Sequence, residues 1–288
     1  MRTEQRGVFN GIHMRLRARE DGILQVTRDL DGQFRGNEYS PVIGCPEGSW
    51  TCRTEAGSEV FALPGLCVRA DRETGALSFA DETGKLLLRE NPDCPAELKA
   101  AEIRRSVFSE ATRITEKTGA DGARSSADPA EVKTDRTGVQ GRQYFRFSDG
   151  EALYGLGSHE EGIGNLRGHM RLLYQHNLKA VVPVLVSTAG WGILFDMGCG
   201  MAFHDDEEGS FMEIDCADSL DWYFVYGNGT WESLMEKMRG LTGPAPMLPR
   251  YALGFIQSKE RYVNAEELTA VAAEYRRRKI PLDLIVQD

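Results

Sequence analysis

Arg72–Glu90 reads RETGALSFADETGKLLLRE, and its punctuation decides the fold class. Glu73-Thr74-Gly75 and Glu82-Thr83-Gly84 each place a glycine where a tight turn needs positive φ, with a strand between them. The same rhythm runs from Gly22 to Glu90, where short runs rich in Val, Leu, Phe and Thr alternate with turn residues. A turn every 8–12 residues or so predicts a β-sandwich rather than βαβ units. The expected fold class is therefore mainly β.

Strand signals return at Gln143–Phe147, Leu153–Leu156, Ala180–Ser187 (AVVPVLVS), Trp191–Asp196 (WGILFD), Met201–His204, Phe211–Cys216 and Asp221–Tyr226 (DWYFVY). Thr188-Ala189-Gly190 reads as a hairpin turn. The stretch from Thr115 to Gly141 is poor in large apolar residues, and it predicts a long loop or hairpin tip. The period then changes. Thr230 can cap a helix whose apolar face is Trp231, Leu234, Met235, Met238 and Leu241, stopped by Gly243-Pro244. GPAPMLPR, with three prolines, reads as a stiff connection and a domain boundary. Residues 1–245 are expected to form the sandwich and 246–288 the start of a second domain.

Beyond the boundary the pattern is βαβ. Tyr251–Gln257 (YALGFIQ) predicts an apolar strand. Asn264 and Glu267 predict a capping-box helix start, and Leu268, Val271, Ala272 and Tyr275 share one helical face. Glu266 and Glu267 open this helix and Arg276–Lys279 close it, as the macrodipole favours. Leu282–Val286 (LDLIV) predicts a strand buried on both faces. One β-α-β unit cannot close a parallel sheet, and a complete (β/α)8 barrel needs about 250 residues. The chain is therefore expected to be an N-terminal portion of a larger architecture.

Composition bounds the function. The chain has 288 residues, with 34 Lys+Arg against 44 Asp+Glu, a formal charge of -10. That balance argues against nucleic-acid binding. No apolar run reaches the length of a membrane helix, and the first residues lack the apolar stretch of a secretory signal. The six cysteines form no C-x-x-C pair, so neither a zinc site nor a redox motif is indicated, and a cytoplasmic setting is expected.

Six stretches occur in order: YGLGSHEEGIGNLRG, LYQHN, PVLVSTAGWGILFD, DWYFVYG, LTGPAPMLPRYALGFIQSKERY and IPLDLIVQD. Together they resemble glycoside hydrolase family 31, the α-glucosidase and α-xylosidase family. The resemblance is strong from Leu153 to Asp288. Over residues 1–150 it rests on position and β character. It implies a galactose-mutarotase-like sandwich, then a (β/α)8 catalytic barrel, of which this chain holds the first β-α-β. It also implies a retaining α-glycosidase that needs no cofactor. The nucleophilic aspartate on the fourth barrel strand and the acid/base after the sixth have no counterpart here, so no catalytic residue is assigned.

The resemblance places Asp288 at the end of the second barrel strand, where a family aspartate binds sugar hydroxyls. A carboxylate there can accept two hydroxyl hydrogen bonds, whereas the bland alternative is a strand-end turn. Ser258 and Lys259 are the better substrate-facing candidates after the first barrel strand, set against a solvated loop. The family also sends a sandwich loop with an aspartate toward the sugar. This sequence departs there, with no Asp or Glu between Leu166 and Asn177. Arg167, His176 or Asn177 stands in its place as a candidate contact, and interface packing is the alternative for His176.

Other motifs weigh less. His204-Asp205-Asp206-Glu207-Glu208 suggests a metal, but adjacent strand residues point to opposite faces, so an acidic hairpin turn is expected. His159-Glu160-Glu161 lacks the second histidine of a zinc helix, and Gly155-x-Gly157 is not followed by a dinucleotide-binding helix. Trp222, Tyr223, Phe224 and Tyr226 are expected to be packing residues. The intact enzyme is expected to hydrolyse terminal α-linked xylose or glucose from oligosaccharides, and the isolated chain to be inactive. Its expected partners are a glycoside substrate and either the rest of the barrel or further copies of itself, with no nucleic acid or membrane. The rival readings are a carbohydrate-binding or structural sandwich, and an epimerase. The epimerase would need a carboxylate opposite His159, His176 or His204.

Overall fold

The computed structural model describes residues 2–119 and 122–288. They form two compact units, Met1–Gly243 and Pro244–Asp288.

The first unit runs in chain order through β1 (Glu4–Phe9), β2 (Ile12–Ala18), β3 (Leu24–Asp29), β4 (Thr51–Glu55), β5 (Ser58–Leu63), β6 (Leu66–Asp71), β7 (Leu77–Asp81) and β8 (Leu86–Glu90). It continues with β9 (Ala96–Val107), β10 (Arg113–Gly119), β11 (Gly122–Asp128), β12 (Glu131–Arg146), β13 (Leu153–Ser158), β14 (Met170–Leu173), β15 (Ala180–Ser187), β16 (Trp191–Phe195), β17 (Met201–Asp206), β18 (Gly209–Ala217) and β19 (Leu220–Tyr226). Helix α1 (Trp231–Thr242) closes the unit. One sheet has the order β1-β2-β3-β19-β16-β15-β13. The other has the order β14-β17-β18-β12-β8-β7-β6-β5-β4, with β9 also paired to β12.

The turns that announce this sandwich work as a repeated device. Asp71 Oδ1 accepts the Glu73 and Thr74 amides at 2.9 and 2.8 Å, and Gly75 takes φ 72°. Asp81 Oδ1 accepts the Thr83 and Lys85 amides, both at 2.9 Å, and Gly84 takes φ 86°. Each aspartate thus holds the chain while the glycine makes the reversal that a Cβ would resist.

The two sheets meet through aromatic rings. Trp222 and Phe224 of β19 face Phe79 of β7, with ring centroids 5.9 and 4.1 Å apart. Phe145 of β12 stands edge-on to Trp222 at 5.7 Å. The alternate residues Tyr223 and Val225 point the other way. There Leu234, Met238 and Leu241 of α1 cover them. All seven residues of β19 are therefore buried, because each of its faces has a partner. One charged pair also crosses this core. Arg28 of β3 bonds both oxygens of Glu90 on β8 at 2.8 Å, and Gln143 on β12 joins them. Burial pushes the Glu90 carboxyl upward, against the pull of Arg28, the Leu77 amide and Gln143.

Several expectations needed correction. Thr115–Gly141 is not a long loop; the hairpin alternative is the nearer one, since the stretch carries most of β10, the antiparallel β11 and most of β12, which pairs with β9 from Glu131↔Val107 to Gln143↔Ala96. Residues 120 and 121, inside that expected tip, lie outside the described residues. Strand formation depends on pairing context more than on composition, so low hydrophobicity alone misled. The hairpin β1–β2 was missing from the sequence reading. Its signal is Asn10-Gly11, with φ 50° and 79°, between alternating residues.

In the second unit β20 is only Ile256–Gln257 and β21 only Leu284–Ile285, paired in parallel. Arg250–Leu253 is a 3-10 turn rather than strand, so YALGFIQ is extended only at its end. Leu284, Ile285 and Val286 are half-buried, not buried on both faces as LDLIV suggested. Between them runs α2 (Ala265–Arg277), capped as expected by Asn264, whose Oδ1 accepts the Glu267 amide at 2.8 Å. Glu267 reaches back one residue further than a capping box, to the Val263 amide at 2.8 Å.

Candidate functional site

In the second unit the parallel register Gln257↔Ile285 sets the geometry. Both strands end on the same side, so Ser258-Lys259 and Gln287-Asp288 emerge together from the C-terminal edge. A parallel sheet gathers its functional groups at that edge. The scaffold beneath is a polar cluster. Tyr275 donates to Gln257 Oε1 at 2.6 Å, and Gln257 Nε2 lies 3.4 Å from the Tyr262 hydroxyl. Gln287 Nε2 donates to the Tyr262 carbonyl at 3.2 Å. Tyr262 is buried and ties the two emerging segments to one anchor. Lys259 turns to α2 and meets Glu267 at 2.6 Å, with its ammonium over the Tyr262 ring. Ser258 and Asp288 are exposed, and their side chains have no hydrogen-bond partner among the described residues.

In the first unit the candidate residues separate. Arg167 is committed to the scaffold. Its Nε meets Asp205 Oδ2 at 2.7 Å, and its Nη1 donates to the Ser148 and Glu151 carbonyls at 2.9 and 3.2 Å. Its guanidinium also covers the Phe147 ring. Burial alone would raise the Asp205 carboxyl, but Ser210, the Gly168 amide and Arg167 hold it below the usual range. His204 stacks on Phe211 and bonds Asp206 at 3.0 Å, on the strand leading into the two-residue turn Glu207-Glu208. Among the described residues no three His, Cys, Asp or Glu side chains converge as a metal site would require.

His176 and Asn177 sit instead on an exposed loop, and their side-chain polar groups have no hydrogen-bond partner among the described residues. That loop is held from within. Gln175 Oε1 accepts the Val181 amide at 2.9 Å, while its Nε2 donates to the His176 and Lys179 carbonyls. Glu161 clamps the base, meeting Lys179 at 3.0 Å and Arg171 at 2.5 Å. The Lys179 ammonium, with Arg171 behind it, holds the Glu161 carboxyl down at about 2. Leu178 takes φ 66°, an uncommon conformation for a side chain of its kind. Sequence reasoning missed Glu161, Arg171, Lys179 and Gln175, because their roles depend on pairings across the chain. Gly155 and Gly157 proved structural. Both have positive φ in β13, and a Cβ on either would strike a carbonyl of β15, Val184 or Ala180.

A family profile described as "Glycosyl hydrolases family 31 TIM-barrel domain" matches residues 245–288. An α-xylosidase from Saccharolobus solfataricus is 37% identical over 155 residues, which is 51% of this chain and 21% of that protein. A family 31 α-xylosidase from a soil metagenome, solved with xylose, superposes on 100% of this chain and 40% of its own, at a TM-score of 0.72 and 23% identity. The chain is similar to an N-terminal portion of glycoside hydrolase family 31 proteins. A family 31 dextranase from Flavobacterium johnsoniae, solved with isomaltotriose, superposes with a TM-score of 0.69 at 21% identity, covering 99% of this chain and 32% of its own. These two structural likenesses show the fold alone. The chain spans about a fifth of the S. solfataricus relative, and the family 31 profile falls on the second unit.

Proposed function

We propose that this chain forms the sandwich and barrel start of a retaining α-glycosidase that removes terminal α-linked xylose or glucose from oligosaccharides. One observation carries the reading: the parallel β20–β21 pair delivers Ser258 and Asp288 unpaired to a single edge, within the segment matched by the family 31 profile. An ionised Asp288 would accept two sugar hydroxyls and fix the orientation of the ring, with Ser258 beside it as donor or acceptor. Lys259, tied to Glu267, would keep the loop in place rather than touch sugar. Relatives described as α-xylosidases support xylose, and others described as glucosidases support glucose. The six cysteines form no disulfide among the described residues, which fits a reducing, cytoplasmic compartment.

The test uses p-nitrophenyl α-xyloside and α-glucoside. The 288-residue chain should give no turnover, because bond cleavage of this kind needs two carboxyl groups about 5–5.5 Å apart across the sugar. A longer polypeptide containing the downstream sequence should turn the xyloside over, and Asp288→Asn should lower its kcat/KM by at least about 100-fold. Turnover by the isolated chain, or full activity in Asp288→Asn, would overturn the reading.

A further inference from the structure

Two cysteines of the first unit, distant from any C-x-x-C spacing, meet where the connection from β16 to β17 runs beside the end of β18. These strands pair from Asp206↔Gly209 to Met201↔Ile214. The same register continues one step past the end of β17, where the Asp215 amide donates to the Gly200 carbonyl at 3.0 Å. A Cβ on Gly200 would strike the Asp215 carboxylate, so the two backbones still run close together there. One further step of this register sets Cys199 against Cys216. The bond between Asp215 and Gly200 makes Cys199 and Cys216 a non-hydrogen-bonded pair, the kind whose side chains approach most closely, with Cα atoms about 4.5 Å apart. The Cys199 sulfur accordingly faces the Cys216 and Asp215 amides.

A disulfide needs Cα atoms roughly 4.4–6.8 Å apart, and this position supplies that separation. The Cβ atoms of such a pair, about 4.5–5.5 Å apart, must close by about 1 Å. Cys199 lies in a bend rather than in the ladder, so the connection can take up that shift while β18 stays in place. By contrast, Cys52 on β4 and Cys67 on β6 have β5 between them. Two strand spacings, about 9–10 Å, put those two out of reach of each other. Cys199 and Cys216 are both half-buried. Cys199 packs against the core, and Cys216 lines a small cavity beside it. Burial pushes the Cys199 thiol up to about 11, against the pull of the two amides, and burial raises the Cys216 thiol as well. Both therefore rest as neutral thiols. A disulfide is uncharged too, so forming one here buries no ion.

We propose that Cys199 and Cys216 form a disulfide site, which closes when the surrounding thiol pool is oxidised and staples the β16–β17 connection to β18. The co-reactant is a small disulfide of the oxidised glutathione type. The Cys216 thiolate attacks it, one reduced glutathione leaves, and a mixed disulfide remains on Cys216. The Cys199 thiolate then attacks the Cys216 sulfur, the second reduced glutathione leaves, and the S–S bond of the protein forms. The two cysteines give up two protons and two electrons, and the glutathione disulfide takes up both. The closed bond ties off the β17–β18 hairpin, which restricts the unfolded chain and stabilises the sandwich.

The test incubates the folded 288-residue chain with oxidised glutathione at pH 8.5 and blocks the remaining thiols with N-ethylmaleimide. Cleavage at Glu207 and Glu208 separates the two cysteines for mass spectrometry. Cys199 and Cys216 should be recovered joined, two hydrogens lighter than the separate peptides, with no other two cysteines joined. The oxidised chain should melt about 4 °C or more above the reduced chain, and dithiothreitol should reverse the rise. Oxidation of Cys216→Ser should give no rise. Recovery of both cysteines as maleimide or glutathione adducts would overturn the site. So would a joined pair that leaves the melting temperature unchanged, or a folded chain that yields the same mixture of pairs as the chain oxidised in denaturant.

Discussion

Two strands of this chain read alike and fold differently. Leu220–Tyr226 (LDWYFVY) and Leu282–Val286 (LDLIV) are both near-continuous apolar runs opened by Leu-Asp. The first is buried at every residue, because Phe79 and Phe145 cover one face and α1 covers the other. The second forms only a two-residue ladder and stays half-exposed. An apolar strand carries the capacity to be buried on both faces, and its neighbours decide whether that happens. The same contrast holds for charge. Arg28–Glu90 is sealed between the sheets, whereas Glu274 with Arg277 and Arg278 lies in water.

The sharpest way to break this comparison is to truncate both strands. Trp222→Ala should cost about 3–5 kcal/mol by chemical denaturation, a cavity in a closed core. A loss under about 1 kcal/mol would mean that the core does not depend on this ring. Glu90→Ala should cost about 3–5 kcal/mol, since it strands the Arg28 charge in the interior. Glu274→Ala, its exposed counterpart, should leave the denaturant midpoint close to that of the parent.

The third prediction concerns pH. Burial, and then the charge of Asp196, push the Asp221 carboxyl from 3.8 up to about 7. Because the folded chain then binds a proton that the unfolded chain has released, stability falls as pH rises from about 4 through 7. The penalty is fully present above the folded value. Its size is of order 4 kcal/mol at most. Asp221→Asn should flatten this slope, measured as the denaturant midpoint from pH 5 to 8. A slope unchanged in that variant would assign it to other groups. The smallest effect is expected at Leu284→Ala, under about 1 kcal/mol in this chain, and hydrogen exchange across residues 251–288 should show weak protection. A loss matching that of Trp222→Ala would erase the contrast between the two strands.

Much of the sandwich was legible in the sequence. Its turns are made by residues acting on their own neighbours, such as Asp71 on Thr74 and Asp81 on Thr83. The helix caps at Thr230 and Asn264 were readable for the same reason. The polar strands β10 and β11 and the first half of β12 were not, because little local marks a strand that buries neither face. Of the candidate site, the sequence pointed to Asp288, Ser258 and the His176-Asn177 loop. It could not show that Arg167 is spent on Asp205 and the Ser148 and Glu151 carbonyls, or that Glu161 clamps the loop.

Sequence by itself determined what depends on short range: the turns, the caps, the period of each element and the order of motifs that resembles family 31. These act over a few residues, so the chain states them directly. Only the tertiary structure decided which apolar face finds a partner, which charge is sealed, and which polar group is left free. Asp196 and Asp221 lie far apart in the chain and become neighbours only when β16 pairs with β19. Burial and pairing across such distances are set by sheet register, which no local run of residues encodes.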